Sequence, residues 1–478
     1  MALDFRGTAR GHLAALDALC REIARAGGRC LVVGGSVRDA LLGIDVEEFD
    51  LEVFGLAPKE LVALLEQSHR IDRVGEAFGV VKLRDHPFDV ALPRRESKRG
   101  LGHRGFEVQS DPDLSLEEAA RRRDFTINAI SYDPLTGELI DPVGGRQDLE
   151  RRRLRHVSER FVEDPLRVLR GAQFTARFEL DPAEETIELC RRVGIEELAP
   201  ERIFEEFRKL LLRGRRPSLG LELLRRAEWL RFFPEIEVLV GCPQDPRWHP
   251  EGDVFVHTGL VLDAFAAERI GEPWEDLVVG MACLCHDFGK PATTVEEGGR
   301  IRSPGHEAAG EPPTRQFLAR LTAQRRLADQ VVPLVREHLK PQQLYAAGAS
   351  DSAVRRLARR VERIDRLIRV VRADQRGRPP LEPDDEAVLW LRRCAERLKV
   401  EDAAPQPLIL GRHLIDRGRP PGPEFKPVLD AAYEAQLDGR FDEGDALEWL
   451  DRHLPALWRS ATASQGASSR GESADGAE

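Results

Sequence analysis

The chain has 478 residues, of which 41% are hydrophobic and 32% charged, and its formal net charge at pH 7 is −11. This length allows two to four domains with sizeable cores, and the composition is that of a soluble globular protein. No stretch approaches the ~20 apolar residues of a membrane helix, so no membrane partner is expected. The N-terminus lacks a secretory layout and the cysteines form no disulfide or zinc pattern, which predicts a reducing cytoplasm.

The charge is distributed unevenly along the chain. Affinity for a polyanion comes largely from Lys and Arg, so the net charge of −11 argues against indiscriminate nucleic-acid binding, and no DNA partner is expected. Arginine-rich runs nevertheless occupy 121–123, 151–155 and 202–231. A basic stripe on an acidic protein can hold one RNA of a particular shape.

Strand signals are concentrated in the first third of the chain. Apolar runs at 30–33, 49–54, 80–83 and 88–92 alternate with amphipathic helical segments such as 61–65. This mixture predicts an α/β head. From about residue 151 helical spacing dominates.

The predicted organisation is a head over 1–150, a helical neck over 151–240, a third helical region over 241–380 and a helical tail over 381–459. Pro and Gly at the start of the third region indicate a boundary. Residues 460–478 are rich in Ser, Gly, Ala and charge without periodicity, which predicts disorder.

The most informative motif is the run from Gly34 to Asp39, Gly-Gly-Ser-Val-Arg-Asp, directly after an apolar strand. Two glycines let a strand turn sharply, so the next backbone N–H groups can approach a phosphate at the start of a helix. Gly34, Gly35, Ser36 and Arg38 are therefore candidate nucleotide-binding residues.

Acidic residues alternate on the strand that follows. Glu48, Asp50 and Glu52 point to one face, because strand side chains alternate. A carboxylate pair beside a phosphate cradle suits two-metal phosphoryl transfer, since Mg²⁺ takes oxygen ligands and bridges to a triphosphate. We assign Glu48 and Asp50 as catalytic metal ligands and Glu52 as a partly solvated neighbour. Asp89, on another apolar run, is a candidate third carboxylate.

These two motifs together resemble the signature of the class II tRNA nucleotidyltransferase and poly(A) polymerase family, within the superfamily of DNA polymerase β. The resemblance implies a head with a mixed sheet and transfer that depends on Mg²⁺. The family usually carries Asp-x-Asp at the acidic positions. Here the first position is Glu48, which keeps the charge and adds a methylene.

Two later motifs extend the resemblance. The segment 122–129 resembles the second family motif, which implies that Arg123, Asp124 and Asn128 hold the ribose and phosphates of the nucleotide. Segment 163–170, Glu-Asp-Pro-Leu-Arg-Val-Leu-Arg, resembles the motif whose Asp and Arg read the Watson–Crick edge of CTP or ATP. The matching residues are Asp164 and Arg167, three apart on a predicted helix face, with Arg170 in support.

Other segments match less specifically. The basic segment 94–105 resembles the flexible loop that CCA-adding enzymes need for the final A. Residues 141–149 match a structural hinge, and 201–218 a motif that braces the template helix. The segments 414–422 and 436–439 resemble the helical tail that grips tRNA.

A second cluster of candidate ligands lies downstream in helical context. It consists of His257, the pair His286-Asp287 with Gly289-Lys290 close behind, His306, His338 and Asp374. This set resembles the HD phosphohydrolase superfamily, in which imidazole and carboxylate ligands from several helices bind one or two divalent metals that activate water. The histidine set implies a transition metal such as Ni²⁺, Co²⁺ or Mn²⁺. The core ligands are His257, His286, Asp287 and Asp374, and a second metal would take His306 and His338.

Three functional hypotheses follow. The first is CCA addition, the transfer of CMP and AMP from CTP and ATP to a tRNA 3′ end, with an appended phosphohydrolase. The second is a poly(A) polymerase or an enzyme adding only C or only A; the segment 74–81 is closer to the CCA-adding pattern. The third is an HD phosphatase or phosphodiesterase whose head binds RNA without transfer. The oligomeric state remains open.

Overall fold

The computed structural model describes residues 3–72, 80–98, 106–196 and 198–471. The chain divides into two compact units, Met1–Val238 with Arg320–Ala323 and Leu239–Ala319 with Gln324–Glu478. No helix among the described residues is long and apolar enough to span a bilayer. Two segments used above, 74–79 and 99–105, lie outside the described residues.

The strands of the first unit are β1 Arg29–Val33, β2 Phe49–Phe54, β3 Ile71–Asp72, β4 Val80–Leu83, β5 Phe88–Ala91, β6 Arg94–Lys98, β7 Phe106–Ser110, β8 Ser131–Tyr132, β9 Leu139–Ile140, β10 Arg153–Leu154 and β11 Asp181–Pro182. Seven of them form a mixed sheet in the order β3-β4-β5-β2-β1-β8-β9. Within this sheet, strands β2 and β5 run parallel and the other described pairs are antiparallel. A separate antiparallel pair, β6 and β7, lies outside this sheet.

Strand β1, between β2 and β8, is buried from Cys30 to Val33 because these residues are apolar, and Leu31 and Val32 are completely covered. Helix α1 buries Leu16, Leu19 and Ile23, which recur at the spacing of one helix face. The helices of the first unit are α1 Leu13–Arg25, α2 Gly35–Leu41, α3 Pro58–Ser68, α4 Leu116–Arg121, α5 Gly145–Glu150, α6 Leu166–Phe178, α7 Glu184–Arg191, α8 Pro200–Arg213, α9 Pro217–Arg226 and α10 Pro234–Glu237.

Helix α6 is the central element after the sheet, packed against both α8 and α9. Its close approach to α9 depends on Gly220, since a Cβ there would lie 2.7 Å from the carbonyl oxygen of Ala172. This packing fixes the orientation of the α6 face that carries Arg170.

The second unit is mostly helical, and its hydrophobic helix α12, Pro273–Cys285, packs against three other helices. Its helices are α11 Val254–Ala267, α12 Pro273–Cys285, α13 Lys290–Thr293, α14 His306–Ala309, α15 Glu311–Leu321, α16 Arg325–Glu337, α17 Lys340–Ala346, α18 Asp351–Val361, α19 Ile364–Arg376, α20 Glu386–Leu398, α21 Gly411–Ile415, α22 Phe425–Leu437 and α23 Ala446–Gly471; strands β12 Val295–Glu297 and β13 Arg300–Arg302 form a hairpin.

The mixed sheet in the head and the mostly helical remainder confirm the predicted fold class in outline. Three details differ. The neck is not entirely helical, because β10 and β11 form a short parallel pair. The described part of the predicted loop 94–105 is strand β6, paired with Phe106–Ser110. Helix α23 continues to Gly471, beyond the predicted end of the tail at residue 459, and Ala461 is buried in the tail core. The rest of the segment predicted to be disordered, 472–478, lies outside the described residues.

Candidate active sites

The glycine turn brings two distant motifs together. Gly34 directly follows β1 and has φ +69°, a conformation that favours glycine. A Cβ at Gly34 would lie 3.0 Å from Arg123 Nη1 and 3.8 Å from Asp50 Oδ2. The bare backbone thus leaves room for a guanidinium beside the acidic strand.

Ser36 holds the backbone of the two predicted metal ligands in place. Its hydroxyl donates to the carbonyl oxygen of Glu48 at 3.1 Å and accepts from the backbone N–H of Asp50 at 3.2 Å. Both acidic residues are exposed to the cleft. Desolvation at the cleft floor, with the carboxylates of Glu48 and Asp89, raises the pKa of Asp50 although Arg123 opposes the shift. The partly desolvated carboxylate of Asp50, with two further carboxylates beside it, fits a divalent cation.

Asp89 lies beside Asp50 in the register of the parallel strands β2 and β5. Its Oδ2 accepts a hydrogen bond from Lys82 Nζ at 2.6 Å. The candidate third carboxylate is therefore next to the acidic pair, with its charge compensated by a lysine.

Glu52 is not the partly solvated neighbour that strand alternation predicts. It is 3% exposed, and its oxygens lie 3.1 Å from Arg122 Nη2 and 3.5 Å from Arg123 Nη2. Two guanidiniums compensate for the cost of burying the carboxylate.

The second motif forms a continuous polar chain. Asn128 Nδ2 donates to Asp124 Oδ1 at 2.9 Å, and Arg170 Nε donates to Asp124 Oδ2 at 2.7 Å. Arg38 Nη1 donates to Asn128 Oδ1 at 2.5 Å, and its guanidinium lies over the Phe178 ring at 4.5 Å. Burial alone would raise the pKa of Asp124, but Arg170 and Asn128 outweigh it and lower the pKa. Asp124 is thus held ionised and oriented.

Asp164 and Arg167 do not share a helix face, because Asp164 precedes α6 in an extended conformation. Asp164 Oδ1 accepts from the N–H of Leu166 at 3.1 Å and so caps the helix. Its Oδ2 accepts from Arg202 Nη2 at 3.2 Å. Arg167 donates to the carbonyl oxygens of Arg160 and Arg122, each at 2.9 Å.

Of the predicted nucleotide-binding and metal-binding residues in the head and neck, all except Ser36 and Asp89 line one cleft of about 500 Å³. Sequence reasoning missed further lining residues on two helices. The residues on α6 follow Arg170 by three, four and seven positions, so they share its helix face and could have been predicted from that spacing. The two cationic residues on α8 are four positions apart. These residues are Gln173, Phe174, Arg177, Lys209 and Arg213.

The second cluster lies wholly within the second unit and is buried. Two groups of potential ligand atoms converge, one formed by His257, His286 and Asp374 and the other by Asp287, His306 and His338. Nε2 of His257 is 3.1 Å from Asp374 Oδ1 and 3.3 Å from His286 Nε2. The structure thus brings together every residue predicted for this site.

Backbone carbonyls fix the rings of three histidines. Nδ1 lies within hydrogen-bond distance of the carbonyl oxygen of Cys283 for His286, Ser303 for His306 and Val335 for His338. A ring that donates from Nδ1 presents a bare Nε2, the form that binds a metal.

The pair His306 and His338 shows why a cation fits. Their Nε2 atoms lie 3.3 Å apart. Burial and the rings of His286 and His306 lower the pKa of His338 to about 3, so that ring is neutral. A divalent metal would satisfy both facing lone pairs.

Asp287 connects the two groups. Oδ1 lies 3.4 Å from His306 Nε2, and Oδ2 lies 3.2 Å from His286 Nε2 and 2.7 Å from Lys290 Nζ. Burial would raise the pKa of Asp287, but His286 and Lys290 outweigh it and hold the pKa well below its usual range. One carboxylate is thus placed to bridge two metal positions.

Sequence reasoning missed a supporting carboxylate in the loop before α11. Glu251 Oε1 lies 2.8 Å from Nδ1 of both His249 and His257. The hydrogen bonds from the two histidines lower the pKa of Glu251 to about 2, against the effect of burial. The short run His-Pro-Glu-Gly-Asp was the available signal.

A separate cleft of about 250 Å³ opens onto this cluster. Asp287, His306, His338 and Asp374 line it. The same cleft carries cations that suit an anionic substrate, namely Lys290, Arg302 and Arg378.

Comparisons with known proteins agree with this geometry. Residues 30–155 match the poly A polymerase head domain, and residues 178–239 match the probable RNA and SrmB-binding site of polymerase A. Relatives include the multifunctional CCA proteins of Stenotrophomonas maltophilia K279a, 39% identical over 78% of this chain and 92% of that protein, and of Aromatoleum aromaticum, 39% identical over 79% and 92%.

Solved structures share the fold. The Bacillus stearothermophilus CCA-adding enzyme in complex with CTP aligns with a TM-score of 0.63 at 21% identity, covering 95% of this chain and all of that chain. The Thermotoga maritima CCA-adding enzyme complexed with tRNA aligns with a TM-score of 0.56 at 20% identity, with the same coverage. Fold and cleft together define a nucleotidyltransferase with a poly(A) polymerase head. The identity and coverage of its relatives are decisive: the chain belongs to the multifunctional CCA protein family. The predicted resemblance is thereby confirmed.

Proposed function

We propose that the first unit adds CMP and AMP from CTP and ATP to the 3′ end of tRNA. The observation that carries the proposal is the single cleft, in which the acidic pair faces the arginines of α6 and α8. The proposed domains are a head over 1–150, a neck over 151–240, an HD domain over 241–380 and a tail over 381–459. We place the reaction in the cytoplasm, because all seven cysteines are free thiols.

In this proposal the tRNA 3′-hydroxyl attacks the α-phosphate in line, and pyrophosphate leaves. Glu48 and Asp50 would hold Mg²⁺. When bound, Mg²⁺ stabilises charge on the attacking and leaving oxygens. Arg123 donates to phosphate oxygens, and Asp124 accepts from the ribose hydroxyls. Ser36 keeps the acidic strand in place through the two backbone bonds described above.

Base selection is assigned to Asp164 and Arg167. A carboxylate accepts from the exocyclic amino group that cytosine and adenine share, while a guanidinium donates to ring nitrogen or carbonyl acceptors. Uracil and guanine present a carbonyl where the amino group should be, so they are rejected. Arg167 must release the carbonyl oxygens of Arg160 and Arg122 to reach the base.

Primer extension tests this proposal. We expect the natural protein to extend a tRNA lacking CCA, and Asp50→Ala to lose at least about 1,000-fold in rate. Asp17→Ala, an exposed carboxylate of α1 paired only with Arg21 among the described residues, is the control and should leave the rate unchanged. Equal rates for the natural protein and Asp50→Ala would contradict the assignment.

We further propose that the second unit is a metal-dependent phosphohydrolase. The converging Nε2 atoms, the bridging position of Asp287 and the cationic cleft support it. His257, His286, Asp287 and Asp374 would hold one metal. Asp287, His306 and His338 would hold the other, and Ni²⁺, Co²⁺ or Mn²⁺ suits the imidazoles.

Hydrolysis of p-nitrophenyl phosphate and of its bis ester, with each metal in turn, tests this second activity. We expect His286→Ala to abolish hydrolysis and to leave tRNA extension unchanged. Hydrolysis that survives in His286→Ala would contradict the proposed site.

A further inference from the structure

Glu52 is a buried carboxylate that the proposed transfer reaction does not use. It lies on β2 two residues beyond Asp50. Arg122 Nη2 donates to its Oε1 at 3.1 Å, and Arg123 Nη2 lies 3.5 Å from its Oε2. The side-chain exposures are 15% for Arg122 and 22% for Arg123. Two arginines that converge on one buried anion are strongly oriented by it.

Arg123 stands between Glu52 and the acidic pair. Nη2 of Arg123 faces Glu52. Nη1 of Arg123 and Oδ2 of Asp50 both lie next to the position that a Cβ on Gly34 would occupy. The guanidinium therefore lies between the carboxylates of Glu52 and Asp50, and the ion pair with Glu52 opposes its rotation toward Asp50. Without the charge of Glu52, the carboxylate of Asp50 becomes the stronger attraction for Arg123.

Glu52 is also connected, through Arg122, to Arg167, the arginine proposed to read the base. The side chain of Arg122 is fixed by Glu52, and its carbonyl oxygen accepts from Arg167 Nη2 at 2.9 Å. One carboxylate thus connects β2, which bears the proposed metal ligands, with the segment that holds Arg167.

We propose that Glu52 is a positioning residue that holds Arg123 toward the phosphates of the nucleotide and keeps its guanidinium off Asp50 and Glu48. The inference rests on the proposed nucleotidyl transfer. It explains how an arginine can stand beside the metal ligands without forming the ion pair that would compete with Mg²⁺.

The test compares Glu52→Gln with the natural protein. Without metal, in EDTA, we expect the Kd for CTP by calorimetry to rise about tenfold, because Arg123 turns away from the phosphates. In extension assays the Mg²⁺ concentration for half-maximal rate should rise about as much, while kcat at saturating Mg²⁺ and CTP stays within about twofold. Glu52→Asp should shift both values about threefold in the same direction, and it keeps the test available if the Gln variant does not fold.

Asp148→Asn is the matched control. Asp148 is 5% exposed and lies 2.8 Å from Arg155, so the variant also loses a buried ion pair, but Asp148 does not line the cleft. We expect it to lower thermal stability without changing the Kd for CTP. A Glu52→Gln variant that behaves like Asp148→Asn would overturn the inference. The metal-free Kd needs no catalysis, so an inactive natural protein would refute the transfer proposal and still leave Glu52 testable.

Discussion

Asp164 accepts a hydrogen bond from Arg202 at 3.2 Å, across 38 residues of sequence. The proposed base-reading carboxylate is therefore oriented by helix α8 as well as by its own capping bond to Leu166. Orientation of a reading group decides selectivity, because a misplaced acceptor no longer distinguishes an amino group from a carbonyl.

Replacement of Arg202 tests this relationship. We expect Arg202→Gln to lower kcat/KM for CTP and ATP about tenfold and to increase the relative use of UTP, because Asp164 loses a charged donor. Competition between labelled nucleotides at one tRNA end measures the ratio. Arg208→Gln is the control, since Arg208 lies on the same helix and pairs with Glu205. Unchanged selectivity in Arg202→Gln would mean that Asp164 is held without Arg202.

Gly34→Ala should be destabilising and should weaken nucleotide binding. An alanine at φ +69° and ψ −130° is strained by about 1–3 kcal/mol, and its Cβ would also press on Arg123 Nη1 at 3.0 Å. Gly27→Ala separates the two effects, since Gly27 has φ +92° and nothing lies within 4 Å of its Cβ position. Denaturant unfolding should show a lower free energy of unfolding in both variants, whereas the Kd for CTP should rise only for Gly34→Ala. A rise for both variants would remove the steric explanation.

Glu251→Gln should weaken metal binding in the second unit. The carboxylate orients His257 through Nδ1, and loss of such a partner typically costs about 10- to 100-fold in metal affinity. Metal titration followed by elemental analysis measures the change, and tRNA extension should remain normal. Asp276→Asn serves as the control, because Asp276 is a buried partner of Arg369 in the same unit. Equal metal affinity in Glu251→Gln and the natural protein would contradict the orienting role.

Chelation should lower the unfolding temperature of the second unit. The cluster gathers the carboxylates of Asp287 and Asp374 and four imidazoles in a buried space, so a cation bound only in the folded state adds stability. The predicted stoichiometry is two metals per chain, falling to one in His306→Ala. Calorimetric scans with and without EDTA, with metal analysis, measure both. A stoichiometry of two in His306→Ala would show that the second position lies elsewhere.

Local motifs were predictable because each carries its chemistry within a few residues. The turn at Gly34, the acidic pair and the histidine cluster all lie where the sequence predicts them. The burial of Glu52 was not predictable from alternation, since its partner Arg122 is 70 residues away. The same applies to Arg202, whose link to Asp164 exists only after α6 and α8 pack. Asp164 also caps its helix instead of lying on it, because Pro165 directly precedes the first helical residue.

The most direct measurement uses three tRNA transcripts ending before CCA, after C and after CC, with CTP, ATP or both, resolved at single nucleotides. Transfer of CMP and AMP by this cleft predicts addition of C, C and one A to the first transcript, C and A to the second, and only A to the third, after which extension stops. It also predicts that Glu48 supports transfer without replacement by Asp. Tails of A alone, or addition that stops at CC, would contradict full CCA synthesis, and no extension of any transcript would contradict transfer by the head.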